Sequence, residues 1–129
     1  MLELNIDIIV SAVEFDPFKF DKLAKYKTKQ YKNIQFVRYH IYDKDDFNIY
    51  EYFNIFDELM NSNPNKKILI HCVAGVSRSA SLVISYMIKY YNNLKFKRIM
   101  NIAKKRRSCI WPNDGFYIQL KEYYDKNRA

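Results

Sequence analysis

In the run His71-Cys72-Val73-Ala74-Gly75-Val76-Ser77-Arg78-Ser79, a thiol and a guanidinium stand six residues apart with one of the chain's two glycines between them. The run follows a short apolar segment, Lys67 to Cys72, and leads into "SASLVISYMIKYY", which is apolar nearly all round. It therefore reads as a strand-to-helix turn. The amides of such a turn converge on one point and the helix N-terminus adds partial positive charge, so the turn can cradle a phosphate-sized anion. Gly75 lets the backbone bend and approach where a side chain would obstruct it. Arg78 can offer a planar pair of donors to phosphate oxygens, which lysine cannot reproduce. Cys72 would then point sulfur at phosphorus, with the same dipoles favouring its thiolate. The other cysteine, Cys109, reads as a small buried hydrophobe. Two cysteines are too few for a disulfide scaffold, so both are expected to be free thiols in a reducing compartment.

The elements that must position this turn can be read from periodicity. "IDIIVSA", "IQFVRYHI" and "KKILIHC" are short, β-branched or aromatic runs and are expected to be strands. Ile49, Phe53, Phe56 and Met60 share one helix face, and Pro64 in "NSNPN" stops that helix. Phe96, Ile99, Met100 and Ala103 form a further helical stripe, and a last helix is expected after "WPNDGF", through "YIQLKEYY". Strands alternating with helices predict an α/β fold with a short, largely parallel central sheet flanked by helices. Without repeat, linker or low-complexity tract, residues 1–129 read as one domain.

Net charge is +8, and no acidic residue falls between Glu58 and Asp114, where Lys66, Lys67, Arg78, Arg98, Lys104, Arg106 and Arg107 all lie. Positive potential there should draw in anions. No run is long and apolar enough for a membrane span, and the start lacks the basic lead and cleavage site of a signal peptide. A cytosolic or nuclear location is expected.

The pattern His-Cys-x-x-Gly-x-Ser-Arg-Ser resembles the signature loop of the cysteine-based protein tyrosine phosphatases, and its Ala-Gly-Val-Ser-Arg-Ser-Ala form is most similar to the dual-specificity branch. "NKKILIHCVAGVSRSASLVISYMIKYY" is similar to that branch throughout, and "KKRRSCIWPNDGFYIQL" resembles its distal basic-Pro-Asn-Gly-Phe-Gln-Leu segment. The resemblance implies a nucleophilic Cys72, a transition-state-binding Arg78, and a phosphate cradle from Val73, Ala74, Gly75, Val76, Ser77 and Arg78. It gives Ser79 a hydroxyl aimed at the sulfur, easing the thiolate's departure. It gives His71, expected to be a core histidine satisfied by the backbone, the work of holding Cys72 in place. Phosphoester cleavage also needs a proton for the leaving oxygen. The candidates lie in "HIYDKDDFNIYEYF": by resemblance Asp43 comes first, then Asp46, then Asp45. No metal or organic cofactor is expected.

The expected substrate is a phosphorylated protein, bearing phosphotyrosine or phosphoserine and phosphothreonine. Related loops act on phosphoinositides and RNA 5′-triphosphates, but lipid-directed loops tend to carry lysines where Val73, Ala74 and Val76 stand. A catalytically weak phosphate-binding module is a further reading, although such a chain would normally have lost Cys72 or Arg78. Nucleic-acid binding ranks below these, because the basic helix carries no recognition motif. Arg106 and Arg107 are candidates for a second anionic group on the substrate, or merely suit a helix C-terminus. Resembling domains carry a further segment with an edge strand ahead of "IDIIVSA", which implies a fold shortened at its N-terminus. An edge left uncovered in this way invites strand addition by a partner or a second copy, making a homodimer one expected assembly.

Overall fold

In the computed structural model, residues 5–14, 26–73, 77–106 and 111–129 are described. Four strands and four helices follow in the order β1 (Ile8–Ala12), β2 (Tyr26–Tyr31), β3 (Ile34–Tyr39), α1 (Tyr50–Ser62), β4 (Ile68–His71), α2 (Arg78–Tyr90), α3 (Phe96–Arg106) and α4 (Asp114–Arg128). The strands form one sheet in the order β2-β3-β1-β4. Strands β3, β1 and β4 are mutually parallel, as their apolar composition led one to expect. Along β1, Ile8, Val10 and Ala12 are fully buried, and with Val37, Tyr39 and Ile41 they make the floor of the core.

Strand β2 was not legible as an apolar run. "YKTKQY" holds two lysines and a glutamine among two tyrosines and a threonine, and it pairs antiparallel with β3 across a turn at Lys32 and Asn33. Lys32 takes a positive φ of 54° there. Its partner in the ladder is β3, across the hairpin, so its strand identity depends on that pairing.

Helix α1 buries Ile49, Phe53 and Phe56 completely at its start and along its inner face. Helix α2 is central: it packs on β1 and β4 and touches all three other helices. Its buried serines are satisfied locally, Ser81 Oγ donating to Ser77 O (2.7 Å) and Ser85 Oγ to Leu82 O (2.6 Å). The buried residues of α3 are Phe96, Ile99, Met100 and Ala103. Helix α4 begins inside "WPNDGF" rather than after it. Asn113 is the reason, since its Oδ1 accepts the Phe116 N–H (2.8 Å) and so caps the first turn. At the far end Arg128 donates to the carbonyls of Ile88, Tyr91 and Leu94, closing the end of α2.

Candidate active site

Strand β4 delivers Cys72 to the edge of the turn, and α2 starts at Arg78, so the two elements face their chemistry toward one point. Cys72 is 8% exposed. Its Sγ accepts the Ser79 backbone N–H at 3.4 Å and lies 3.3 Å from Ser79 Oγ. Donors aimed at the sulfur favour its anionic form. The first turn of α2 has no acidic residue and no side-chain cap at Ser77, so its amides and dipole are not neutralised within the helix.

Arg78 is buried at 4% exposure. Its Nη1 donates to Ile41 O (3.1 Å) and pairs with the Glu14 carboxylate. Its Nε is buried and, among the described residues, has no hydrogen-bond partner. A buried guanidinium N–H without a partner is costly. The anchored Nη1 thus fixes the plane and leaves the Nε edge, a two-donor geometry of the kind that can meet an oxyanion.

Glu14 escaped the reading of the sequence. Its carboxyl is pushed up by burial, but its own backbone hydrogen bond, Arg78's hydrogen bond and charge, and the charge of His40 together hold it below its ordinary value. It is therefore ionised at neutral pH, and the pairing is lost only as pH falls through that lowered value. Arg38, 1% exposed on β3, holds Glu14 from behind through its carbonyl (Nη2 to O, 2.8 Å) and also meets His40 Nδ1 (3.0 Å). An acid directly after a strand that pairs beside the cysteine strand was the available signal. Glu14→Gln keeps an acceptor but removes the charge. It should raise KM for p-nitrophenyl phosphate about 3- to 10-fold, by loosening a pair whose partner is partly solvated, with kcat changing less. Steady-state kinetics at pH 6 checks it.

His71 differs from expectation. It is an exposed residue, and its ring partner is a side chain: Nε2 lies 2.6 Å from Ser11 Oγ. The cause is topological, because β4 is the last strand of the sheet order and the parallel register sets Ser11 beside His71. Although the residue is exposed overall, partial desolvation of its ring pushes the imidazole below its ordinary value, so it is neutral near pH 7.

The three candidate acids separate by their surroundings. Asp43 Oδ1 accepts from Asn113 Nδ2 (2.9 Å), and the Asn113 backbone N–H donates to Ser77 Oγ (2.8 Å). One asparagine thus ties Asp43 to the cysteine turn. Asp46 instead lines a hollow with Asn48, Tyr50, Gln119 and Glu122. Asp45 presents its backbone to Gly115, where a Cβ would sit 1.8 Å from Asp45 O. Only glycine permits that approach. Gln119 completes the clamp, donating to Phe47 O (2.8 Å) and accepting the Tyr50 N–H (2.9 Å). The segment "NDGFYIQ" therefore positions the acidic loop, a use the sequence did not disclose.

Val73 is 54% exposed. Ser77 is buried and engaged with Asn113 and Ser81. Ala74, Gly75, Val76, Arg107 and Cys109 lie outside the described residues.

Comparison with known proteins adds independent findings. The family model described as "Dual specificity phosphatase, catalytic domain" matches residues 1–126. A putative tyrosine-protein phosphatase, AMV078 of Amsacta moorei entomopoxvirus, is 36% identical over 125 residues, covering 95% of this chain and 71% of the relative. MAP kinase phosphatase with leucine-rich repeats protein 1 of Dictyostelium discoideum is 39% identical over 120 residues, 92% of this chain but 13% of that protein. The chain spans at most half the length of several curated relatives. Among solved structures, the human tyrosine phosphatase-like serine/threonine/tyrosine-interacting protein superposes with a TM-score of 0.79 at 26% identity, covering 97% of this chain and 80% of that one.

Proposed function

Since the chain belongs to the dual specificity phosphatase family, we propose that residues 1–129 act as one catalytic domain removing phosphate from phosphotyrosine and phosphoserine or phosphothreonine of proteins, through a phosphocysteine intermediate. The observation that carries this reading is the convergence at one turn of a sulfur facing the Ser79 N–H and Oγ with a buried guanidinium whose Nε has no partner among the described residues.

In the first step the Cys72 thiolate forms the S–P bond as the P–O bond to the leaving oxygen breaks, and Asp43 gives that oxygen its proton. Arg78 and the amides at the start of α2 hold the charge of the equatorial oxygens. In the second step water attacks phosphorus and passes a proton to the Asp43 carboxylate. The S–P bond breaks, and the Ser79 hydroxyl steadies the departing thiolate. Even complete ionisation of a thiol that is a few per cent thiolate at neutral pH raises the reactive fraction by at most about thirty-fold. That is small beside the at least ~10⁶ that enzymes supply, so charge stabilisation and in-line positioning carry most of the rate.

Asp43 is the preferred acid because Asn113 links it to the turn, whereas Asp46 faces elsewhere. Asp43→Asn keeps the acceptor for Asn113 but cannot transfer the proton. It should lower kcat on an alkyl phosphate by about 10²-fold and flatten the basic limb of an otherwise bell-shaped pH profile. An unchanged limb with full rate would move the acid elsewhere.

Phosphoprotein is favoured over phosphoinositide because the turn interior offers Val73, Ala74 and Val76 in place of lysines. A reactive cysteine must stay reduced, so we place the protein in the cytoplasm or nucleus. No helix among the described residues is long and apolar enough to cross a membrane. Phosphate release from phosphotyrosine and phosphothreonine peptides, set against release from an RNA 5′-triphosphate and a soluble phosphoinositide, tests the substrate class. Faster turnover of either non-protein substrate would overturn it.

A further inference from the structure

Behind the residues that meet Arg78 lies a second arginine that the proposed reaction does not use. Arg38, on β3, is 1% exposed, and its neighbours in sequence Val37 and Tyr39 belong to the core. A guanidinium taken out of water is costly unless its donors are met, and an apolar residue of similar volume would often serve a fold as well or better. What Arg38 meets is therefore informative. Its Nη2 donates to Glu14 O (2.8 Å) and to His40 Nδ1 (3.0 Å). Arginine has no acceptor, so the ring nitrogen is the acceptor here.

Both contacts lead on to Arg78. Glu14 carries the carboxylate that pairs with Arg78 Nη1, and Ile41, whose carbonyl accepts from the same nitrogen (3.1 Å), is the residue after His40. His40 is held a second time, because the Tyr52 hydroxyl donates to its carbonyl (2.9 Å). Burial pushes the Tyr52 hydroxyl up to about 12, so it keeps its proton and remains a donor at neutral pH. The parallel register of β1 and β3 runs to Ala12 and Tyr39, with one further bond from the Val13 N–H to Tyr39 O (3.1 Å). Past that point Arg38 ties the two segments together through its side chain. One nitrogen of Arg38 thus braces the segments at Glu14 and at His40–Ile41 that supply both acceptors of Arg78 Nη1.

We propose that Arg38 is a positioning residue: by bracing Glu14 and His40 it sets the plane of the Arg78 guanidinium before an oxyanion arrives. A guanidinium already in plane presents its donors without being reordered during the reaction, and a small displacement of such a group lowers the rate. The effect on rate rests on the phosphatase reading. The effect on Arg78 itself does not.

NMR of the isotope-labelled whole chain follows solvent exchange of the Arg78 Nε–H, which is buried, and p-nitrophenyl phosphate kinetics follow the rate. Arg38→Met fills much of the same volume and removes both donated bonds. It should speed exchange of the Arg78 Nε–H at least five-fold and lower kcat/KM about five-fold. Glu14→Ala, at a partly exposed side chain, should do much the same. The double variant should lose no more than about two-fold beyond the larger single loss, because both changes act on one nitrogen of Arg78, whereas independent effects would multiply. Losses that multiply would overturn the proposal. So would Arg38→Met that lowers only Tm, with Arg78 exchange and kcat/KM unchanged well below the transition. Should Arg38→Met not fold, His40→Ala removes one acceptor of the same nitrogen at a half-buried residue. It should speed Arg78 exchange about two-fold, and no change there overturns the brace. Faster Arg78 exchange in the variants of a chain that turns over no phosphoester would uphold the brace and overturn the phosphatase reading instead.

Discussion

Cys72→Ser should reduce turnover of p-nitrophenyl phosphate by about 10⁴-fold or more, the scale on which removal of a nucleophile acts. The serine hydroxyl is nearly isosteric but far less acidic than a thiol, so the attacking atom is lost while the rest of the turn remains. Because Cys72 is 8% exposed and its contacts run to Ser79, the smaller oxygen fits the same place. Thermal unfolding should therefore move little, and vanadate or a phosphopeptide should still bind. A variant retaining more than about 1% of the rate would remove Cys72 from the chemistry, since loss of the nucleophile costs far more than that.

Arg78→Lys should cost about 10³-fold in kcat/KM, and unlike the cysteine variant it should also destabilise the fold. The kinetic loss follows from geometry: an ammonium is a point charge and cannot present two coplanar donors to the equatorial oxygens. The structural loss follows from what Nη1 does, since it meets both Ile41 O and the Glu14 carboxylate. Lysine leaves one of these unmet, and a buried carbonyl left unsatisfied costs about 1–3 kcal/mol. Differential scanning calorimetry should show a fall of several degrees in Tm. Equal stability with a full kinetic loss would mean that Glu14 and Ile41 do not hold the guanidinium. Equal kinetics would sink the oxyanion role itself.

These two residues illustrate how far local pattern reaches. Cys72 and Arg78 were legible because the turn is contiguous: strand, glycine, arginine and helix occupy one stretch, so their juxtaposition needs no knowledge of the rest of the chain. The three parallel strands and the stripes of α1 and α3 were legible for a similar reason, since burial on one face imposes a period on the residues themselves. Strand β2 was not, because its pairing partner lies across a hairpin and its side of the ladder needs no apolar run. His71 was misplaced because edge position is a property of strand order, which local pattern does not encode.

By itself the sequence determined the candidate nucleophile and guanidinium, the α/β class and the family resemblance, all consequences of short-range spacing. Only the tertiary structure decided that Glu14, 64 residues from Arg78, pairs with its guanidinium, and that Asn113 donates a hydrogen bond to Asp43 across 70 residues. It also decided that Gly115 exists to admit the Asp45 backbone. Each depends on a distance between distant parts of the chain, and such distances arise only when the sheet order and the packing of α2 and α4 are set.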